Sequence, residues 1–133
     1  MLDEITGAET AHDRLAEEDV EFCSIAGPID IGTVSAFRTR MAARLDSAPP
    51  ALVMDLTGVT FVGATGVAAL IAANARAEQL GTFFAIVADS RRVLRPLQVT
   101  GVDRRLSVYP TLTEAACAVE RGVSRIPAQR TAG

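Results

Sequence analysis

The residues most able to do chemistry in this chain form a short turn, Gly63-Ala64-Thr65-Gly66, where two glycines bracket a hydroxyl at the start of a helical pattern. A hydroxyl placed there has two uses. Thr65 can act as an N-cap, its oxygen accepting one of the first-turn N–H groups, a bond worth about 1 kcal/mol. It can also carry a phosphate, because a helix N-terminus offers free N–H groups and a dipole that favours negative charge. The fold would tolerate that modification. A partner packed on the turn would instead meet about two added negative charges. Such a turn is a switch: once modified, it keeps the fold and loses the partner.

Two further loops join this one as candidate contact points, Gly27-Pro28-Ile29-Asp30 and Asp89-Ser90-Arg91. Partners of open α/β sheets tend to meet the loops at the carboxyl ends of the strands. The expected binding set is therefore Asp30, Gly63, Ala64, Thr65, Gly66 and Ser90. Asp30 has a second reading, as a cap or turn-former ahead of a helix that opens near Thr33.

No catalytic residue, metal site or cofactor is expected. The sole histidine, His12, lies in a weakly patterned stretch and reads as exposed, which leaves Ser-His-Asp or Cys-His chemistry without a base. Cys23 and Cys117 are far apart in sequence and lack metal-ligand spacing, so both read as reduced, packed thiols. Asp55 reads as a strand-end or loop-organising carboxylate. A rival reading is a nucleotide-binding enzyme, since Phe61-Val62-Gly63-Ala64-Thr65-Gly66 before a helix resembles the Gly-rich turn of short-chain dehydrogenases, and Asp89 follows the next strand. Three features oppose it. The third glycine position is Ala69, only 67 residues follow Gly66, and a chain with no lysine and one tyrosine, Tyr109, has no Tyr-Lys pair.

The elements that must position the turn are legible from periodicity. Val20–Ala26 alternates as a half-buried strand, and Gly27-Pro28 is expected to break it. Val34, Phe37, Met41 and Leu45 recur at helical spacing, with Thr33 as candidate N-cap. Ala51–Leu56 reads as a strand covered on both faces, followed by a turn at Thr57-Gly58 and a short stretch Val59–Val62. An Ala-rich helix spans Gly66–Leu80 and stops at Gly81. Thr82–Val87 is a strand. Asp89-Ser90 offers a cap for a helix in which Pro96 forces a kink or a late start, and Gly101 stops it. Leu106–Tyr109 is a short strand, and Thr111-Leu112-Thr113-Glu114 is a capping box opening a last helix to about Arg121. This alternation predicts an α/β fold, an open, mostly parallel or mixed sheet of about four to five strands with helices packed on it. Residues 1–16 are expected to be a flexible segment or to hold an edge strand near Ala11–Leu15, residues 17–121 the domain, and residues 122–133 a disordered tail.

Composition agrees and narrows the partners. The chain of 133 residues fits one domain, and 49% hydrophobic with 22% charged residues supplies a real core. With 5% aromatic residues and no tryptophan, that core must be Val, Leu, Ile and Ala. The balance of 16 acidic and 13 basic residues, net −3, carries no basic stripe for nucleic acid, the basic clusters being only Arg91-Arg92 and Arg104-Arg105. No apolar run reaches membrane-span length and the acidic N-terminus has no signal core, so the expected location is the cytoplasm, away from membranes.

The stretch Ala51–Val119 resembles a STAS domain, the domain of bacterial anti-sigma factor antagonists. The resemblance rests on Gly27-Pro28-Ile29-Asp30, Val53 through Phe61, the helix closing at Leu80-Gly81, Leu97-Gln98-Val99-Thr100-Gly101-Val102-Asp103-Arg104, and Val108 through Ala115. It implies a STAS-like fold and a regulator of transcription that is not an enzyme. Such a regulator binds an anti-sigma factor, often a serine kinase, and frees a sigma factor until a serine in an Asp-Ser-Ser-Gly turn is phosphorylated. Thr65 falls on the phosphorylated position and Gly66 is kept, while Gly63 replaces the acidic residue and Ala64 the first serine. Asp30 matches the family's loop aspartate near the partner surface. The resemblance also allows a different use, as a STAS-type subunit of a stress-signalling or transport complex without a phospho-switch.

Overall fold

The computed structural model describes the backbone of residues 20–132, with side chains through Gly122. His12 and the expected N-terminal segment with its edge strand lie outside the described residues. Four strands, β1 (Val20–Ile29), β2 (Ala51–Val62), β3 (Phe83–Val87) and β4 (Ser107–Tyr109), lie in the order β1-β2-β3-β4. All three pairings are parallel. Four helices alternate with them: α1 (Val34–Leu45), α2 (Ala64–Leu80), α3 (Arg91–Val99) and α4 (Leu112–Ala132), with a 3-10 turn at Val102–Arg104. The α/β reading and the strand count are as the sequence predicts.

The pleat sorts the central strands onto two faces. Leu52, Met54 and Leu56 of β2 and Phe84 and Ile86 of β3 join the larger core. They meet Phe37, Met41 and Leu45 of α1, Leu70, Ala73 and Ala77 of α2, and Val93 and Leu97 of α3. The alternate residues, Ala51, Val53, Ala85 and Val87, pack with Ala115 and Val119 of α4. Both faces of β2 and β3 are thus covered, which is why these strands read as nearly unbroken apolar runs.

Two breaks expected from the sequence are not breaks. β1 continues through Gly27 and Pro28 because its register against β2 shifts there, and Gly27 takes a positive φ of 83° that suits glycine. Proline is tolerated at such a bulge because a ladder hydrogen bond is already missing. Likewise Thr57-Gly58 is not a turn. β2 runs continuously, and between Ser24↔Asp55 and Ala26↔Gly58 it carries one extra residue relative to β1. The Asp55 carboxylate holds this bulge, accepting from Thr57 N–H at 3.0 Å and from its hydroxyl at 2.7 Å. The loop-organising reading of Asp55 is therefore correct, at a bulge rather than a strand end.

The helix ends follow local chemistry. α2 starts at Ala64, two residues before the expected Gly66, and ends at Gly81, with Thr82 N–H closing onto the Ala77 carbonyl at 2.8 Å. Thr82 is buried, and its hydroxyl donates to the Pro49 carbonyl at 2.6 Å, while Phe83 N–H bonds the Pro50 carbonyl. These bonds tie together the two loops at the amino ends of β2 and β3.

α3 does not start late. Ser90 caps it, accepting from Arg92 N–H at 3.1 Å, and Val93 and Leu97 are fully buried, so Pro96 falls inside the helix. In α4 the forward half of the capping box forms, Glu114 N–H to the Thr111 hydroxyl at 3.1 Å. This helix runs to Ala132, past Arg121, where the sequence reading ended it. Gly122 is a packing residue and not a stop, since a Cβ there would lie 2.8 Å from the Phe83 ring. Cys23 is buried in the core, but Cys117 is exposed. The reading of Cys117 as packed is wrong because Ala115, Ala118, Val119 and Gly122 take the sheet-facing side of α4.

Candidate functional site

Of the first expected loop, Gly27, Pro28 and Ile29 belong to the end of β1 and Asp30 follows it; the other two loops follow β2 and β3, so all three meet at the carboxyl edge of the parallel sheet. After β1, the Asp30 carboxylate accepts from Gly32 N–H at 2.9 Å and Thr33 N–H at 3.1 Å. Thr33 does not cap α1 through its side chain. Its hydroxyl turns back into the loop, accepting from Asp30 N–H at 2.9 Å and donating to the Pro28 carbonyl at 2.8 Å. Asp30 is thus the turn-former ahead of α1.

After β2, Gly63 N–H donates to the Ile29 carbonyl at 2.9 Å, which stitches the second loop to the end of β1. Gly63, in extended backbone, is the N-cap residue of α2, and its carbonyl accepts from Val67 N–H at 3.0 Å. Ala64, Thr65 and Gly66 are then the first three helical residues. The expectation that Thr65 caps the helix is corrected: a residue already inside the first turn has helical backbone and cannot reach back over it. Thr65 is half-buried and its hydroxyl is unbonded among the described residues. Gly66 is buried against β1 and β2. A Cβ there would come within 2.8 Å of Ile29 Cγ2 and 3.0 Å of Val62 Cγ1. The missing side chain lets the α2 N-terminus sit directly on the strand ends, which fixes where Thr65 stands.

After β3, Ser90 uses its hydroxyl on α3 as described. The structure therefore brings Asp30 and Gly63–Gly66 together through the Ile29–Gly63 bond, and leaves Ser90 as a structural cap one strand further along.

Sequence reasoning missed one feature. A cleft of about 650 Å³ opens between the end of β2, the start of α2 and one side of α3. Phe61, Gly63, Ala64 and Val67 line one wall, and Arg91, Arg92, Arg95 and Val99 the other. The signal was present as Arg91, Arg95 and Val99 at intervals of one helical turn, on the face opposite Val93 and Leu97. Among the described residues there is no group of three or more metal-ligating side chains, and no helix long and apolar enough to cross a membrane.

The STAS domain description matches residues 16–115, most of the chain. The chain belongs to the STAS domain family. Among curated relatives, this STAS protein is 32% identical over 103 residues to the anti-sigma-F factor antagonist RsfB of Mycobacterium tuberculosis, covering 77% of this chain and 84% of that one. Among solved structures it is similar to an anti-sigma factor antagonist from Mycobacterium paratuberculosis, with 38% identity and a TM-score of 0.72 over 77% of this chain and 87% of that one. A sulfate transporter family protein from Wolinella succinogenes shares the fold, at 24% identity and a TM-score of 0.68 over 80% and 88% of the two chains.

Proposed function

We propose that this STAS protein is an anti-sigma factor antagonist. It binds an anti-sigma factor of the serine-kinase type through the Gly63–Gly66 turn and the adjoining Asp30 loop, and so releases a sigma factor. The observation that carries this reading is similarity along nearly the whole domain to proteins named as antagonists, covering 84% and 87% of their lengths. The chain acts by binding and not by catalysis, in the cytoplasm where the transcription machinery works.

The site supports a phospho-switch at Thr65. Among the described residues the hydroxyl is unbonded, and it sits in the first turn of α2, where the N–H groups lack intrahelical acceptors. A phosphate there would be favoured by the dipole, so the fold survives modification, while a closely packed partner would have to desolvate the added charge. Gly63 and Ala64 leave the kinase without a carboxylate or second hydroxyl in the turn. The kinase would therefore recognise the surrounding surface.

A pull-down of the full chain from its own cells, read by mass spectrometry for partner and for the modification state of Thr65, tests both claims. The expected result is an anti-sigma factor captured by the wild type and by Thr65→Ala, and lost with Thr65→Glu. Equal capture by all three forms would remove the switch. Recovery of a transporter alone would replace the antagonist reading with that of a transport-complex subunit.

A further inference from the structure

We propose that the cleft beside Gly63 receives an acidic segment of the protein partner, with carboxylates against Arg91, Arg92 and Arg95 and an apolar side chain against Phe61 and Val99. The identity of that partner rests on the antagonist reading, but the chemistry of the groove stands on four observations.

The first is charge. The chain carries a net charge of −3, yet three guanidiniums within five residues line one wall of a single cleft. None of the three forms an ion pair among the described residues, whereas Arg44 does so with Glu21 at 3.5 Å. The second is placement. Arg91 and Arg92 are the first two residues of α3, where the positive end of the helix dipole disfavours cations, and neither α3 nor α2 has an acid in its first turn. Asp89, just ahead of the Ser90 cap, is the acid that flanks the α3 start, and it forms no ion pair with Arg91 or Arg92 among the described residues, so both guanidiniums stay available to an anionic partner.

The third is apolar surface. Phe61 is 52% exposed and Val99 71% exposed, on opposite walls, so a side chain entering between them would be covered on both sides. The fourth is size. A volume of about 650 Å³ falls in the range of binding clefts and has room for several side chains. Carboxylates suit guanidinium forks, and an apolar anchor between charged rims is the usual anatomy of a protein interface. Nucleic acid fits less well, because three charges on an acidic chain make no stripe along which a backbone could run.

The test is an NMR titration of the full, isotope-labelled chain with three defined probes: a short synthetic peptide of Glu and Leu at helical spacing, the same peptide with Lys replacing Glu, and oligothymidylate. The Glu/Leu peptide is expected to move the amide signals of Val62–Val67 and Arg91–Thr100, more weakly as salt is raised. Arg92→Glu and Arg95→Glu are each expected to weaken it about tenfold, with the rest of the spectrum unchanged because both side chains are exposed. Arg95→Lys should recover part of the binding. Equal binding of the Lys peptide, tighter binding of oligothymidylate, shifts elsewhere on the domain or no shifts at all would each overturn the proposal. No anti-sigma factor enters this titration, so its failure is distinct from failure of the pull-down.

Discussion

At the scale of single residues, two hydroxyls that look alike in sequence do different work. Ser90 and Thr65 each stand at the start of a helix at the carboxyl edge, but only Ser90 bonds a helix N–H. Ser90→Ala should therefore lower stability by about 1 kcal/mol, and Thr65→Ala by no more than about 0.5 kcal/mol, in urea unfolding monitored by circular dichroism. A loss at Thr65 as large as at Ser90 would mean its hydroxyl is structural. Gly66 makes a sharper case. Gly66→Ala gains helix propensity of about 1 kcal/mol but forces a methyl into Ile29 and Val62, an overpacking cost of about 1–3 kcal/mol. The net expectation is a lower urea midpoint. The sequence reading exchanges the roles of Gly63 and Thr65, since Gly63 is the N-cap residue and Thr65 lies inside the first turn. Which residue caps a helix depends on where the backbone turns, and that is set here by the close seat of Gly66 on β1.

Elements were read most accurately where they carry their own signals. The Thr111 hydroxyl cap, the Gly81 stop and the Ser90 cap are local chemistry, and all appear where expected. β1 and β2 were misread at Gly27-Pro28 and Thr57-Gly58 because a bulge is a property of two strands, invisible in either alone. α3 starts before Pro96 and not after it, because the proline's local cost is outweighed by burial of Val93 and Leu97. This makes α3 dependent on two anchors. Leu97→Ala should cost about 2–5 kcal/mol. Hydrogen exchange should then show the amides of α3 opening before those of α2, since α3 already lacks the bond that Pro96 cannot donate. Uniform loss of protection across the domain would contradict that picture. The cleft escaped the sequence reading for a similar reason: its walls come from β2 and α3, and only their packing makes the three arginines face Phe61.

For the whole molecule, alternation of strand and helix announces the α/β architecture, yet nothing in the alternation says that, among the described helices, α4 would be the one on its face of the sheet. That asymmetry supplies a probe. Cys117 looks outward from α4 while Cys23 is buried among β1 and its neighbours. A thiol reagent should label one cysteine of the native protein at once and the second only at the rate of unfolding. Two fast thiols would show that β1 opens in the native state. The fold also differs from end to end. At the amino edge of the sheet, the buried Thr82 hydroxyl and Phe83 N–H bind the Pro49 and Pro50 carbonyls and lock two loops to each other. At the opposite edge, exposed arginines and an idle threonine contribute little to holding the chain together. The molecule thus has a locked amino edge and a carboxyl edge that presents solvent-facing side chains. Changes at Arg91, Arg92, Arg95 and Thr65, unlike changes at Gly66 or Ser90, leave that lock and the packing beneath it untouched, so the surface offered to a partner can vary while the frame stays the same.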